Sequence, residues 1–340
     1  MEKLNQTMSN LIIIFMSILI LQSCNLSTKQ SNETNNKQTI EGLGLTEEEV
    51  IESWIYSFAR YMVILQEHID MSEEGIDYNV IKYNELGKAE FPNPNLDVAY
   101  METWFAVDEK TPAILEIPKI EGRYYTAQIV DEWAEILHNI NERNFPNHPY
   151  GKYAICLKGS NPEIPEDALR IDIPSKKAKM LARVERKGDD EGAIALQKAF
   201  KVYSMGNPTI EATVEIPMFT NANPLTVEVF EKPMIEKVLQ SAVDANPNSN
   251  KYQANVMAIA DYIAESKENK TKINDIIKEK ALPALVHFVK NFGDKRGGWS
   301  STREYLKFGD DIWFRAAANF VGIWWNSSSE VVYYIGEKDS

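Results

Sequence analysis

The sequence predicts an α+β protein: an antiparallel, jelly-roll-like β-sandwich with added helices, followed by a mostly helical C-terminal region. Three observations predict it. Between about Val98 and Val184, short runs rich in β-branched and aromatic residues are punctuated by Pro112, Pro118, Gly122, Pro149 and Gly151. Strand and helix patterns do not alternate there, which argues against a parallel sheet built from βαβ units and for a sandwich or jelly roll. On either side of that stretch, apolar residues recur at intervals of three and four.

The elements follow in chain order. Thr46 and Glu49 make a capping-box pattern, and Val50, Trp54, Phe58, Tyr61, Met62 and Leu65 then predict a helix to about His68 with one apolar face. A loop with Gly75, Gly87 and the run F-P-N-P-N comes next. Strands are predicted at Val98 to Val107, Ala113 to Ile117, Tyr124 to Val130 and Tyr153 to Leu157. Asp189 and Asp190 open a predicted helix through about Tyr203. From Thr209 to Ile216, Glu211, Thr213 and Glu215 alternate with Ala212, Val214 and Ile216, the pattern of a strand with one wet face. Three helices are predicted from Thr226 to about Phe292, with breaks near Asp244 to Pro247 and Glu265 to Lys270. A last helix begins near Asp310, where Trp313, Ala316, Ala317, Phe320, Val321 and Trp324 form a stripe that must pack against something. Val331 to Ile335 reads as a final strand.

The N-terminus carries an address. Leu11 to Leu21 is an unbroken run of eleven residues, all apolar but Ser17, too short for a bilayer-spanning helix of roughly 20 residues and suited to a signal peptide. It ends in Leu21-Gln22-Ser23-Cys24, the pattern of a lipoprotein signal whose cysteine is lipidated and becomes the new N-terminus. Acyl chains hold a protein at a membrane because each buried methylene contributes about 0.8 kcal/mol. Asn25 to Thr39 is polar and reads as a flexible tether. Asn25 lacks the aspartate that retains enterobacterial lipoproteins in the inner membrane, so the expected address is the cell envelope, lipid-anchored, at the outer membrane. The expected organisation is a signal at 1–23, a tether at 24–44, a helix plus β-sandwich domain at 45–217 and a mostly helical region at 218–340.

Composition excludes several functions. The net charge of −14 argues against nucleic acid as a partner and against a polybasic hold on anionic lipid. Cys156 is the only thiol besides Cys24 and lies in an apolar strand-like run, which leaves no internal disulfide and suggests a buried structural residue. There is no G-x-S-x-G, S-x-x-K, Walker or G-x-G-x-x-G motif and no cofactor signature. The four histidines, His68, His138, His148 and His287, lack zincin spacing, and no metal site is assigned; Asp131, Glu135 and His138 would share one face only if that segment were helical.

Two constellations could carry chemistry. Asn95, Asp97 and Tyr100 can bind a ligand or cap the turn that enters a strand. Arg123-Tyr124-Tyr125 is followed by Asp131-Glu132-Trp133, and strand alternation points Tyr124 and Tyr125 to opposite faces. Arg123 or Arg183 is expected to pair with Asp97 or Asp131, or to grip an anionic ligand. Trp299, Trp324 and Trp325 can stack on sugars, although core packing is the commoner use.

These residues resemble a known family. N-L-D-V-A-Y, P-A-I-L-E-I-P, G-R-Y-Y and V-D-E-W, in that order, are similar to the N-terminal half of a bacterial family whose halves are domains of unknown function 1254 and 1214. Asn95, Asp97, Tyr100, Pro118, Gly122, Arg123, Tyr124, Tyr125, Asp131 and Trp133 occupy the motif positions, with Val98 in place of the usual Thr. Arg183 and Gln197 fit a later segment, so the resemblance spans roughly Glu49 to Tyr203. F-G-D-D-I-W-F-R-A-A-A and E-V-V-Y-Y, with Arg315 and Tyr333, resemble the start of the second half. The resemblance implies jelly-roll-like β domains with added helices, self-association into a homo-oligomer, and a chain that stops short of most of the second β domain. It follows that Trp313, Phe320, Trp324 and the strand at Val331 should be incompletely covered. The family supplies a fold and no reaction.

Two functions fit. One is a lipid-anchored binding or assembly module at the envelope, with a small-molecule or glycan ligand held by Asn95, Asp97, Tyr100, Arg123, Tyr125, Asp131 and Trp133. The other is an extracytoplasmic hydrolase with Asp97 or Asp131 as acid or base and Arg123 holding an anionic group. A cleft carboxylate with a raised pKa would favour the second.

Overall fold

Helix α1 (Glu47–Met71) begins on the predicted capping box: Thr46 Oγ1 accepts from the Glu49 backbone N–H at 3.2 Å, and the Glu49 carboxylate accepts from the Thr46 N–H at 2.9 Å. Three glutamates in the first turn favour the positive end of the helix dipole. The computed structural model describes residues 38–89, 94–301 and 307–336. Cys24, the signal and the tether as far as residue 37 lie outside the described residues. Among them, no helix is long and apolar enough to cross a membrane.

Two sheets form the β region. The first contains β1 (Lys82–Tyr83), β2 (Val98–Ala106), β4 (Tyr125–Val130), β5 (Ile136–Ile140) and β8 (Lys177–Glu185) in the order β1-β2-β8-β4-β5, every neighbour antiparallel. The second contains β3 (Ala113–Ile117), β6 (Gly151–Leu157), β7 (Ala168–Ile173) and β9 (Lys201–Ser204) in the order β7-β6-β3-β9. One pair, β6 with β7, is parallel, so the sandwich is not purely antiparallel as expected. The inner faces meet in an apolar core that includes Met101, Phe105, Leu115, Tyr125, Ile129, Tyr153, Met180 and Phe200.

The other face of the five-stranded sheet is covered by helices. Tyr100, Trp104, Val130 and Leu181 on the sheet meet Val63 of α1 and Phe314, Ala318, Trp324 and Trp325 near α7 (Ile312–Gly322). The far side of α1 packs on residues from the second half of the chain: a 3-10 turn (Val227–Phe230), α3 (Met234–Gln240), α4 (Ser249–Glu265), α5 (Lys267–Ile276) with a π turn (Ile277–Ala281), and α6 (Leu282–Asn291). Trp54 Nε1 donates to Leu225 O at 3.2 Å and Tyr61 Oη to Val229 O at 3.0 Å. The molecule is thus layered as helices, five-stranded sheet, four-stranded sheet, with α1 buried on nearly every side.

Three predicted elements differ. The helix expected to reach Tyr203 is α2 (Asp190–Ala199); Phe200 turns extended to enter the sandwich core, and Lys201–Ser204 pairs with β3 as β9. Thr209 to Ile216 alternates as a strand does but has no ladder partner among the described residues. It is tied instead by isolated bonds: the Thr209 N–H to Asp108 Oδ2 (2.8 Å), Thr213 Oγ1 with Tyr78 Oη (3.1 Å) and Val214 O with His68 Nε2 (2.9 Å). The last strand is only Tyr334–Gly336 (β12), paired in a small sheet with β11 (Trp299–Ser301), itself paired with β10 (Asp294–Arg296). The stripe on α7 is better covered than expected. Trp324 is 4% exposed, and Trp313 and Phe320 are half-buried against the core around α1.

A buried seam of charge joins α1 to the sheet. Lys177 meets Glu67 at 2.8 Å; Lys179 meets Asp70 at 2.7 Å and Glu102 at 3.0 Å. Tyr78 Oη, Asn84 Nδ2 and Trp104 Nε1 donate to Glu67, Glu102 and Asp70 respectively. Burial opposes the charge on Lys179, but Glu102 and Asp70 outweigh it and hold the ammonium above its ordinary range. Lys179→Met would strand two carboxylates in a dry layer. We expect it to lower the unfolding free energy by about 3–5 kcal/mol, read by urea denaturation; a loss under about 1 kcal/mol would mean that the seam is wet.

Candidate functional site

Gly122 turns the chain in the left-handed region (φ 73°) immediately before Arg123 and the start of β4. Tyr125 then faces the sandwich core, its hydroxyl donating to Pro149 O at 2.6 Å. Tyr124 faces the helical side, with the Arg143 guanidinium 5.0 Å from its ring centroid and its hydroxyl donating to Glu330 at 3.2 Å. Around this corner lies an open cleft of about 610 Å³, lined by Arg123, Tyr124, Tyr125, Arg143, Tyr150, Glu121, Glu142 and Glu185, among others.

The charges of the cleft are paired within the protein. Arg123 Nη2 meets Asp189 at 2.8 Å and its Nη1 donates to Glu185 O at 3.2 Å. Neither Asp97 nor Asp131, the expected partners, is involved. Asp189 also caps α2 by accepting from the Gly192 N–H at 2.9 Å. A Cβ at residue 192 would lie 2.0 Å from Asp189 Oδ2, so glycine there lets one carboxylate serve helix and arginine together. The Gly192 bond and Arg123 hold Asp189 below the usual carboxylate range. Arg143 pairs with Glu142 at 3.0 Å and with Glu330, and Glu185 accepts from the Tyr124 N–H at 2.9 Å.

The other predicted site residues are elsewhere. Asn95 and Asp97 are exposed and shape the turn into β2: the Asp97 N–H donates to Asn95 Oδ1 at 2.8 Å, and the Asn95 N–H to Tyr100 Oη at 2.9 Å. Tyr100 is buried beneath Arg183, whose guanidinium lies 5.4 Å from its ring centroid. Trp133 is fully buried, its Nε1 donating to Ala242 O at 3.3 Å, with the Arg315 guanidinium 4.8 Å over its ring. Trp133 packs in the core around α1.

Asp131 to His138 is not a helix. Asp131 Oδ1 accepts from the Trp133 and Glu135 N–H groups at 2.8 and 2.9 Å, Ala134 takes a φ of 64°, and His138 then lies in β5. Asp131, Glu135 and His138 therefore share no helix face. Asp131 is sealed, and its Oδ2 has no hydrogen-bond partner among the described residues. Burial pushes its carboxyl up to about 7, against the pull of its two backbone bonds. Burial likewise pushes Glu132 up to about 7, outweighing Arg60 at 3.1 Å. Glu132 borders a cavity of about 20 Å³, room for about one water. Cys156 is buried in β6, and burial raises its thiol, as befits a structural residue.

Arg143, Glu142, Tyr150, Glu185 and Glu330 escaped the sequence reading. The first three lie in the loop N-E-R-N-F-P-N-H-P-Y between β5 and β6, whose clustered Pro149, Tyr150 and charges were the only available signal.

Residues 79–204 match the family described as protein of unknown function (DUF1254), a stretch that runs from the approach to β1 through β9. The fold is similar to the crystal structure of the VPA0106 protein from Vibrio parahaemolyticus, with a TM-score of 0.60 and 15% identity over 83% of this chain and 68% of that one. At that identity the likeness is one of fold. No curated protein matches.

The raised carboxyl of Asp131 has a signed consequence. Its folded value of about 7 exceeds the unfolded value of about 3.9, so the folded state binds the extra proton between them, and stability falls as pH rises through that window. Asp131→Asn keeps the Oδ1 acceptor and cannot ionise. Relative to the parent it should gain about 2–3 kcal/mol between pH 5 and 8 in urea denaturation; a pH-independent difference would mean that Asp131 is ionised in the fold at pH 5.

Proposed function

We propose that the protein is a lipid-anchored module of the bacterial cell envelope that binds a small molecule or short glycan in the cleft at the Tyr124–Tyr125 corner. The cleft carries the reading. Its size falls within the usual range for ligand sites. Tyr124 and Tyr150 offer aromatic surface, while its arginines already have carboxylate partners, so a neutral, hydroxyl-rich ring suits it better than a charged ligand. Binding is favoured over hydrolysis because the carboxyls that titrate near neutrality, Asp131 and Glu132, are sealed away from this cleft. The two face-to-face sheets suit a jelly-roll variant in which β7 joins in parallel. Cys24 and Asn25 support anchorage at the outer membrane.

Two measurements test this. Tyr150, 38% exposed, can be replaced by alanine at a stability cost within about 0.5 kcal/mol. Tyr150→Ala should then weaken retention of neutral oligosaccharides on a glycan array by roughly tenfold, the loss of one stacking contact of 1–1.5 kcal/mol. Unchanged retention removes the cleft from the reading. Cells fed an alkyne fatty acid should label the parent and not Cys24→Ser, which should move to the soluble fraction; an unlabelled parent rules out the anchor.

A further inference from the structure

Strand β8 presents Lys177, Lys179, Leu181 and Arg183 to one side, since alternate residues share a face. The two lysines meet Glu67, Asp70 and Glu102. The buried cations Arg60 and Arg315 are also matched, by Glu132 and Asp244. Arg183 is the exception: no described carboxylate lies within ion-pair distance. Its Nη1 donates to Gln128 Oε1 at 3.0 Å, and its guanidinium lies 5.4 Å from the Tyr100 ring centroid. The titratable groups that face it are Tyr100, Tyr124 and Tyr333, and burial raises the phenols of Tyr124 and Tyr333.

The segment above Arg183 adds donors without acceptors. Tyr333 Oη accepts from the Asn326 N–H at 3.0 Å, and no described acceptor takes its own proton. Asn326 Nδ2 is buried with no partner among the described residues. The nearby carboxylate, Glu330, is committed to Tyr124, Asn141, Asn144 and Arg143. A half-buried cation beside surplus donors calls for an acceptor-only group.

We propose that Arg183, with the hydroxyl of Tyr333, forms a binding site for the acid group of a small oxyanion, a carboxylate or a phosphate. Arg183 and Tyr333 are half-buried, so a compact group can reach them. The guanidinium offers a planar fork suited to two oxygens. The site lies on the helix-facing side of the sheet and does not depend on the ligand of the cleft.

The test is thermal unfolding of the full chain in sodium phosphate or sodium acetate, each titrated against chloride at constant ionic strength. At least one anion should raise the midpoint saturably, as a ligand of the folded state must. A response to phosphate alone or acetate alone names the acid group. Arg183→Gln should lose the response while unfolding in chloride at an equal or higher midpoint, because it removes an uncompensated cation. Arg183→Lys keeps the charge without the fork and should respond more weakly. Tyr333→Phe should bind roughly tenfold more weakly, through loss of one hydrogen bond to a charged group. No response to either anion in the parent overturns the proposal, as does an undiminished response in Arg183→Gln.

Discussion

The fold depends on neutralising two lysines that the sheet carries on a covered face. Lys177 and Lys179 lie two residues apart on β8, about 7 Å along the strand. Glu67 and Asp70 lie three residues apart on α1, about 4.5 Å along the helix and on one side of it. Only one placement of α1 brings both carboxylates to both lysines, because an uncompensated charge in this layer is far more costly than an imperfect apolar contact. The seam therefore works as a register. Once it fixes the sheet-facing side of α1, Trp54, Phe58 and Tyr61 are left to organise the helices from the second half of the chain. The same logic recurs at the other side of the helical layer, where Arg315 meets Asp244 at 2.9 Å between the rings of Tyr56 and Trp133.

That seam also explains what could be read from the sequence. The apolar strands were legible almost to the residue: Ala113–Ile117 as predicted, Val98–Ala106 and Tyr125–Val130 within one. The capping box and the α7 stripe were legible because they rest on local spacing. Strand β8 was not singled out. Its lysines mimic a wet face, and period alone cannot tell a solvated lysine from one that meets a helix carboxylate more than a hundred residues away. Thr209 to Ile216 failed in the opposite sense. It has the alternation of a strand, but both edges it might join are elsewhere, and pairing is a property of two segments.

The candidate site was half legible for a similar reason. G-R-Y-Y lies at the corner that lines the cleft, and strand alternation sends Tyr124 and Tyr125 apart as the fold has them. The pairing of Arg123 was not readable, since Asp189 is remote in sequence and is held in place by its second duty as a helix cap. Asp131 and Trp133 looked like ligand residues because acids and aromatics of that kind often are. In the fold they make a tight turn and a core ring. Tyr100, Tyr124, Arg183 and Tyr333, which the family resemblance picks out from distant parts of the chain, converge on one face, and that convergence needed the topology β2-β8-β4.

Gln128 is the hinge between the sheet and the segment that completes this face. Its Oε1 accepts from Arg183 and its Nε2 donates to Trp325 O at 2.7 Å, beside Trp324, whose φ of 72° is unusual for a residue with a Cβ. Left-handed backbone at a tryptophan persists only where its surroundings fix it, here by burial of the indole against Trp104 and by that amide. The turn directs Trp325 onto Tyr333, ring centroids 4.4 Å apart, and so sets the Tyr333 hydroxyl at the Asn326 N–H. Glu330, on the same segment, reaches Tyr124 and Arg143 at the cleft. One short stretch thus holds two residues of the cleft, Tyr124 and Arg143, and places a donor beside Arg183, and Tyr124 borders both.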